Sequence, residues 1–122
     1  EGANWEAIMF ASHHKLDNLH LIVDNNNISM LDYTDSIVSH SNLLERLTSF
    51  GWDCVEVNGH DVVAVLNILL EKKNKSRGKP KAIIAKTLKG RGVPGLENES
   101  LSHIINPKPE LIDELLDRES EL

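Results

Sequence analysis

Leu19-His20-Leu21-Ile22-Val23 runs directly into Asp24-Asn25-Asn26-Asn27, and the reading of this stretch decides the fold. Its first half is short, apolar and rich in branched side chains, which predicts a buried strand. Three consecutive asparagines have poor strand and helix propensity and bond their own backbone, so the strand is expected to stop in a loop there. Two further runs of the same kind follow: Trp52 to Val57, with apolar Trp52, Cys54, Val55 and Val57, and Lys81-Ala82-Ile83-Ile84-Ala85. Helical spacing appears before, between and after them. Ala3 to Lys15 carries Trp5, Ile8 and Met9, with Leu16 continuing the face towards an end near Asp17-Asn18. Asn42 to Phe50 carries Leu43, Leu44 and Leu47 behind a Ser41 or Asn42 cap, with Gly51 as a stop. A helix from about Val62 to Lys73 follows Asp61 as its N-cap, and Pro107 to Leu116 forms the last. This alternation predicts an α/β fold, a parallel sheet flanked by helices. Such sheets bind ligands beyond the C-terminal ends of their strands. Those ends carry Asn25 to Ser29, Asn58 to Asp61 and Thr87 to Gly92.

The 122 residues suit one domain, or part of one. Hydrophobic residues at 40% and charged residues at 26% argue against disorder, collagen-like repeats and coiled-coil rods. The net charge of -6 opposes general attraction to nucleic acid or an anionic membrane surface. Apolar runs are far shorter than the roughly 18 residues that cross a bilayer. A single cysteine, Cys54, cannot form an internal disulfide, which points to the reducing cytoplasm. The chain opens in mid-pattern at Glu1-Gly2-Ala3, and further sequence is expected upstream. The tail from Asp113 to Leu122 is acidic and is expected to fray.

Gly90, Gly92 and Gly95 match the spacing of a dinucleotide-binding loop, but that motif must open a helix, and here Pro94 and a long polar loop intervene. Gly78-Lys79 lacks the upstream glycine and the following hydroxyl of a phosphate-cradling P-loop. The six histidines are scattered beside one cysteine, a poor zinc pattern. What remains is oxygen chemistry, since Asp24 and the amides of Asn25 to Asn27 stand at a strand end and offer hard ligands for magnesium or calcium. Taken alone, such a run is more often a turn than a metal site.

Glu1-Gly2-Ala3-Asn4-Trp5-Glu6-Ala7, Leu16-Asp17-Asn18-Leu19, Val23-Asp24-Asn25-Asn26, Phe50-Gly51-Trp52, Gly59-His60-Asp61 and Lys86-Thr87-Leu88-Lys89-Gly90-Arg91-Gly92-Val93 occur in the order and spacing of the transketolases. Over about Glu1 to His103 the sequence resembles the diphosphate-binding domain of that family, especially the N-terminal subunit of its two-chain forms. The resemblance implies a thiamine-diphosphate-binding fold, of which residues 1–122 form the C-terminal portion of one domain. In the family an upstream Gly-Asp-Gly aspartate, an asparagine and a backbone carbonyl hold magnesium, or calcium or manganese in its place, on the diphosphate of thiamine diphosphate. The matching positions are Asn26 and the carbonyl of Ile28, and the aspartate is expected just before Glu1. Glu1 and Glu6 match glutamates of a subunit interface and carboxylate path between cofactors. His103 matches a histidine that reaches cofactor and substrate. The helix from Ala3 to Lys15 is expected to form a subunit contact, part of it exposed in the isolated chain.

The implied reaction moves a two-carbon ketol unit from a ketose to an aldose, with sugar phosphates as substrates. The implied partner is a pyrimidine-binding C-terminal subunit or domain, in a homodimer or heterotetramer, so the chain alone is expected to be inactive. Departures are Asn27 at a usual glycine, Asp32 at another, Gly95-Leu96 in place of an aromatic or methionine, and Ile104 in place of the glycine after His103. Asparagine tolerates left-handed backbone, which suits position 27. Deoxyxylulose-phosphate synthase, a component of the 2-oxo acid dehydrogenases and a degenerate, non-catalytic interaction module remain alternatives.

Overall fold

The computed structural model describes residues 1–71 and 78–120. Its elements run α1 (Gly2–His13), β1 (His20–Asn25), α2 (Thr34–Ile37), α3 (Leu43–Ser49), β2 (Asp53–Asn58), α4 (Val62–Leu70), β3 (Lys81–Lys86) and α5 (Pro109–Ser120). They divide into two compact units. One comprises Glu1–Asn25 with Ser39–Thr87, the other Asn26–Val38 with Leu88–Leu122. Among the described residues no helix is long and apolar enough to cross a membrane.

The first unit holds a three-stranded parallel sheet in the order β1-β3-β2. β3 is central and its Ala82, Ile83, Ile84 and Ala85 are all buried, as a continuous apolar run between two neighbours requires. β1 differs from expectation. Among the described residues it pairs with β3, and its residues alternate between exposed and half-buried, with Ile22 54% exposed. It also extends through Asp24 to Asn25, because the ladder opposite Ala85 and Lys86 outweighs the low strand propensity of those two residues.

The core consists of Ala11, Leu47, Trp52, Ala82 and Ile84, with Trp5, Ile8, Leu16, Leu21 and Phe50 packed against it. Two helix endings build it. α1 stops at His13, two residues short of the expected Lys15, because Lys15 turns left-handed with φ 53°. Its N–H then donates to the Ser12 carbonyl and that of Leu16 to Ala11, both at 3.0 Å. α3 ends the same way around Gly51, with φ 90°, where the Trp52 N–H donates back to Leu47. This ending explains Phe50-Gly51-Trp52. Phe50 faces the Trp5 ring at 6.0 Å, Gly51 reverses the chain, and Trp52 is buried with Nε1 donating to the Ile8 carbonyl at 3.0 Å. Trp52 therefore precedes β2 instead of opening it. At the start of α3 the expected side-chain cap is absent: Asn42 is left-handed with φ 57° and makes no capping bond.

α4 begins as expected, with Asp61 accepting the Ala64 N–H at 2.9 Å. It runs to Leu70, and the expected extension over Lys72 and Lys73 lies outside the described residues. Val62, Val63, Leu66 and Leu70 form an exposed apolar outer face on it. On α1, Met9 and Phe10 are 48% and 60% exposed while Trp5 packs inward. The last helix starts at Pro109, after the expected Pro107.

Candidate functional site

In the first unit the parallel register sets Asn25, Lys86 and Asn58 side by side at the C-terminal rim of the sheet. Each strand exit is tied down. Asn58 Oδ1 accepts the His60 N–H at 3.1 Å, and the Gly59 N–H donates to the Lys86 carbonyl at 2.8 Å. The Asn58 and Asp61 side chains brace this loop by accepting the His60 and Ala64 N–H groups. Lys86 Nζ pairs with Glu56 at 2.8 Å, and both side chains are solvated, so the pair adds little stability. The Thr87 hydroxyl donates to Asp24 Oδ1, and the Thr87 N–H donates to the Asn25 carbonyl at 3.4 Å.

The second unit begins at Asn26. Asn26 Oδ1 accepts the Ile28 N–H at 2.9 Å, the side chain closing a turn on its own backbone. Asn27 is left-handed with φ 61°, a geometry that asparagine reaches more cheaply than other side chains. Ile28 then faces Tyr33 across an antiparallel bridge. The bridge is closed by the Ser29 N–H on the Asp32 carbonyl at 2.8 Å and by the Thr34 N–H on Asn27 at 2.9 Å. Ile28 is 9% exposed, and no hydrogen bond among the described residues ends on its carbonyl oxygen. Neither this small hairpin nor the one-turn α2 after it is expected from the sequence. Asp32, one of the departures, has a local use: its carboxylate accepts the Tyr33 N–H at 2.7 Å.

The remaining loop joins the hairpin through the Tyr33 hydroxyl, which donates to the Asn98 carbonyl at 3.1 Å. Gly90, Gly92 and Gly95 all have positive φ, and at Gly90 a Cβ would stand 2.3 Å from the Leu96 carbonyl oxygen. The glycines therefore serve the loop's own reversal. His103 is exposed in a turn in which the Ile104 N–H donates to Leu101 at 2.9 Å.

Of the residues singled out by sequence, Asn26 and Ile28 are joined by a hydrogen bond, and His103 belongs to the same unit. Glu1 and Glu6 belong to the other unit, exposed at the start and on the flank of α1. Asn26 Oδ1 and the Ile28 carbonyl are neutral oxygens suited to a hard divalent ion. The Ile28 carbonyl oxygen accepts no hydrogen bond among the described residues, so the donor types present fit such an ion. Among the described residues no group of three or more histidine, cysteine, aspartate or glutamate side chains is arranged to hold a metal. In the sequence Thr87 stands out only as part of a motif, and its bond to Asp24 spans 63 positions, which no sequence spacing signals.

The sequence matches the family described as "Transketolase, thiamine diphosphate binding domain" over residues 1–115. It is 33% identical to an apulose-4-phosphate transketolase subunit of Phocaeicola vulgatus, covering 99% of this chain and 43% of that one. It is 39% identical to the mouse transketolase-like protein 2 over 84% of this chain and 16% of that one. The fold superposes on the crystal structure of Campylobacter jejuni transketolase with a TM-score of 0.83 and 36% identity, over 98% of this chain and 18% of the larger one. On the Pichia stipitis transketolase solved with sedoheptulose 7-phosphate the TM-score is 0.84 at 28% identity, over 97% and 17%. The chain thus spans less than half of the Phocaeicola subunit and about a sixth of the longer transketolase chains. With the parallel sheet, its polar strand exits and these matches together, the chain belongs to the transketolase family, within its thiamine diphosphate binding domain.

Proposed function

We propose that this chain supplies part of the metal and diphosphate site of a transketolase-type transferase, which moves a two-carbon ketol unit from a ketose phosphate to an aldose phosphate. The observation that carries this reading is the Asn26-Asn27-Ile28 turn. The Asn26 side chain is locked by the Ile28 N–H, and the Ile28 carbonyl accepts no bond among the described residues. Asn26 Oδ1 and the Ile28 carbonyl would hold magnesium, with an upstream aspartate completing the protein's share of the octahedron. Thiamine diphosphate, when bound, would supply the carbon nucleophile that adds to the donor carbonyl and the electron sink that follows. The metal turn orients the diphosphate, and exposed His103 stands ready to hydrogen-bond or exchange a proton with the substrate.

The partner in this reading is a pyrimidine-binding subunit or domain. A separate subunit is favoured by the Phocaeicola vulgatus relative, itself named as a subunit, which this chain matches over nearly its whole length. Met9 and Phe10, exposed on α1 beside Glu6, support a subunit contact there, with Glu1 and Glu6 on the carboxylate path. The full-length protein, combined with that partner, is expected to bind thiamine diphosphate only with a divalent metal. Asn26→Ala should weaken binding by about tenfold or more, as loss of one metal oxygen does. Asn26→Asp keeps an oxygen for both the metal and the Ile28 N–H and should retain binding. Calorimetry, with melting followed in parallel without cofactor, reads both. Unchanged affinity in a folded Asn26→Ala complex overturns the role of Asn26, and a wild-type complex that binds no cofactor indicates a degenerate interaction module.

A further inference from the structure

We propose that Tyr33 is a positioning residue, whose hydroxyl ties the loop leading to His103 onto the hairpin that carries the Asn26 turn. The inference rests on the functional reading above and deepens it, since it joins two site residues of that reading through a third. Asn26 to Tyr33 and Leu88 to His103 belong to the same compact unit.

Both sides of the tie are held in place. On the hairpin, Tyr33 faces Ile28 across the bridge, and its N–H donates to the Asp32 carboxylate at 2.7 Å. Thr34 beside it gives both its N–H and its hydroxyl to the Asn27 carbonyl, at 2.9 and 3.3 Å. The tyrosine ring therefore leaves a backbone that is fixed to the residue between Asn26 and Ile28. On the loop, Asn98 is left-handed with φ 54°, and its N–H donates to the Lys89 carbonyl at 2.9 Å, closing the segment from Lys89 to Asn98 on itself. Glu97 braces that segment by accepting the Gly92 N–H at 2.8 Å. The Asn98 carbonyl accepts the Tyr33 hydroxyl at 3.1 Å. Beyond Asn98, successive turns carry the chain through His103: Glu99 N–H on Leu96 at 3.3 Å, Ser102 on Glu99 at 3.1 Å and Ile104 on Leu101 at 2.9 Å.

Two internally braced pieces thus meet at the phenol. Tyrosine suits the post because it has only two side-chain torsions, so holding the ring across the gap costs little entropy. The bond is slightly longer than the usual hydroxyl bond, and the residue is 42% exposed, so its net worth is modest. Its use is geometric. A group that exchanges a proton with substrate must stand within about 2.6–3.2 Å of its partner, and a loop released at Asn98 spends less of its time there. A modest hydrogen bond shifts such an equilibrium by about two- to fivefold. Tyr33→Phe keeps the ring and removes the tie.

The test uses the complete protein with its pyrimidine-binding partner and magnesium. Turnover at saturating thiamine diphosphate is followed with sedoheptulose 7-phosphate, fructose 6-phosphate and xylulose 5-phosphate, the sugars in the Pichia stipitis transketolase complexes, each with an aldose phosphate in excess. Hydrogen exchange without sugar reads the backbone from Lys89 to Ile104. Tyr33→Phe should speed exchange over that segment and lower turnover about two- to fivefold, with cofactor affinity unchanged. In a His103→Ala background the same change should cost nothing further, because the tie acts through His103. Unchanged exchange in Tyr33→Phe overturns the tie. Faster exchange with unchanged turnover, or losses that add to those of His103→Ala, reduces Tyr33 to a structural residue and overturns the proposal while leaving the cofactor reading intact. A wild-type complex that binds no cofactor, or a His103→Ala complex as active as wild type, overturns the underlying reading and this role with it.

Discussion

Gly59→Ala probes the rim of the sheet most directly. The backbone at Gly59 is open to any residue, since its φ lies outside the left-handed range, so the substitution isolates a steric effect. The new Cβ would stand 2.5 Å from the Thr87 methyl, 3.0 Å from the Ala85 Cβ and 3.3 Å from the Lys86 carbonyl oxygen. Carbon atoms prefer about 3.5 to 4.0 Å, so the first contact is too close by roughly an ångström. Rotating Thr87 away would break its bond to Asp24, and moving the exit of β2 would stretch the bond from Gly59 to Lys86. Overpacking of this kind costs about 1–3 kcal/mol. Reduced freedom of the unfolded chain returns about 0.4–1 kcal/mol. The net loss is therefore about 1–2 kcal/mol. With a urea dependence of about 1–3 kcal/mol per molar, the unfolding midpoint should fall by roughly 0.3 to 2 molar. Buried Trp52 provides the fluorescence signal. Adding Thr87→Ser removes the closest atom and should recover at least half of the loss. A Gly59→Ala protein as stable as wild type, or one that Thr87→Ser fails to rescue, would refute the crowding argument.

Leu47, 1% exposed on the inner face of α3, should lose about 2–5 kcal/mol on truncation to alanine, whereas Val63→Thr on the exposed face of α4 should change stability by about 0.5 kcal/mol or less; paired denaturant melts decide both. Burial pushes the Cys54 thiol above its ordinary pKa with help from the Asp53 charge, against a Thr48 hydrogen bond and the Lys79 charge. Its alkylation at pH 8 should therefore be slower in the folded protein than in urea. Because the folded value is the raised one, the neutral thiol's contribution to stability is complete below the ordinary value of 9.0 and is lost as pH rises beyond it through the folded value. Equal alkylation rates in the two states would remove the basis for that pH dependence.

The α/β alternation, the three strands, the stop at Gly51 and the N-cap at Asp61 were legible in the sequence because they depend on local preference: branched apolar runs, helical spacing and residues suited to turns and caps. The left-handed Asn27 and the motif residues of the family were legible for the same reason, since a short polar side chain at one position sets one backbone geometry. The hairpin from Ile28 to Tyr33 and the early stop of α1 at Lys15 left no such trace, because Ser29-Met30-Leu31-Asp32 contains neither glycine nor proline and lysine seldom adopts the left-handed backbone that ends this helix. Only the tertiary structure could bring Thr87 to Asp24 and Gly59, because parallel strands pair residues dozens of positions apart, or Trp52 to Ile8, because α1 packs into the core beside the start of β2. Side-chain chemistry fixes which bonds a residue can make locally. Distant partners become neighbours only when the sheet buries its apolar faces and sets the register.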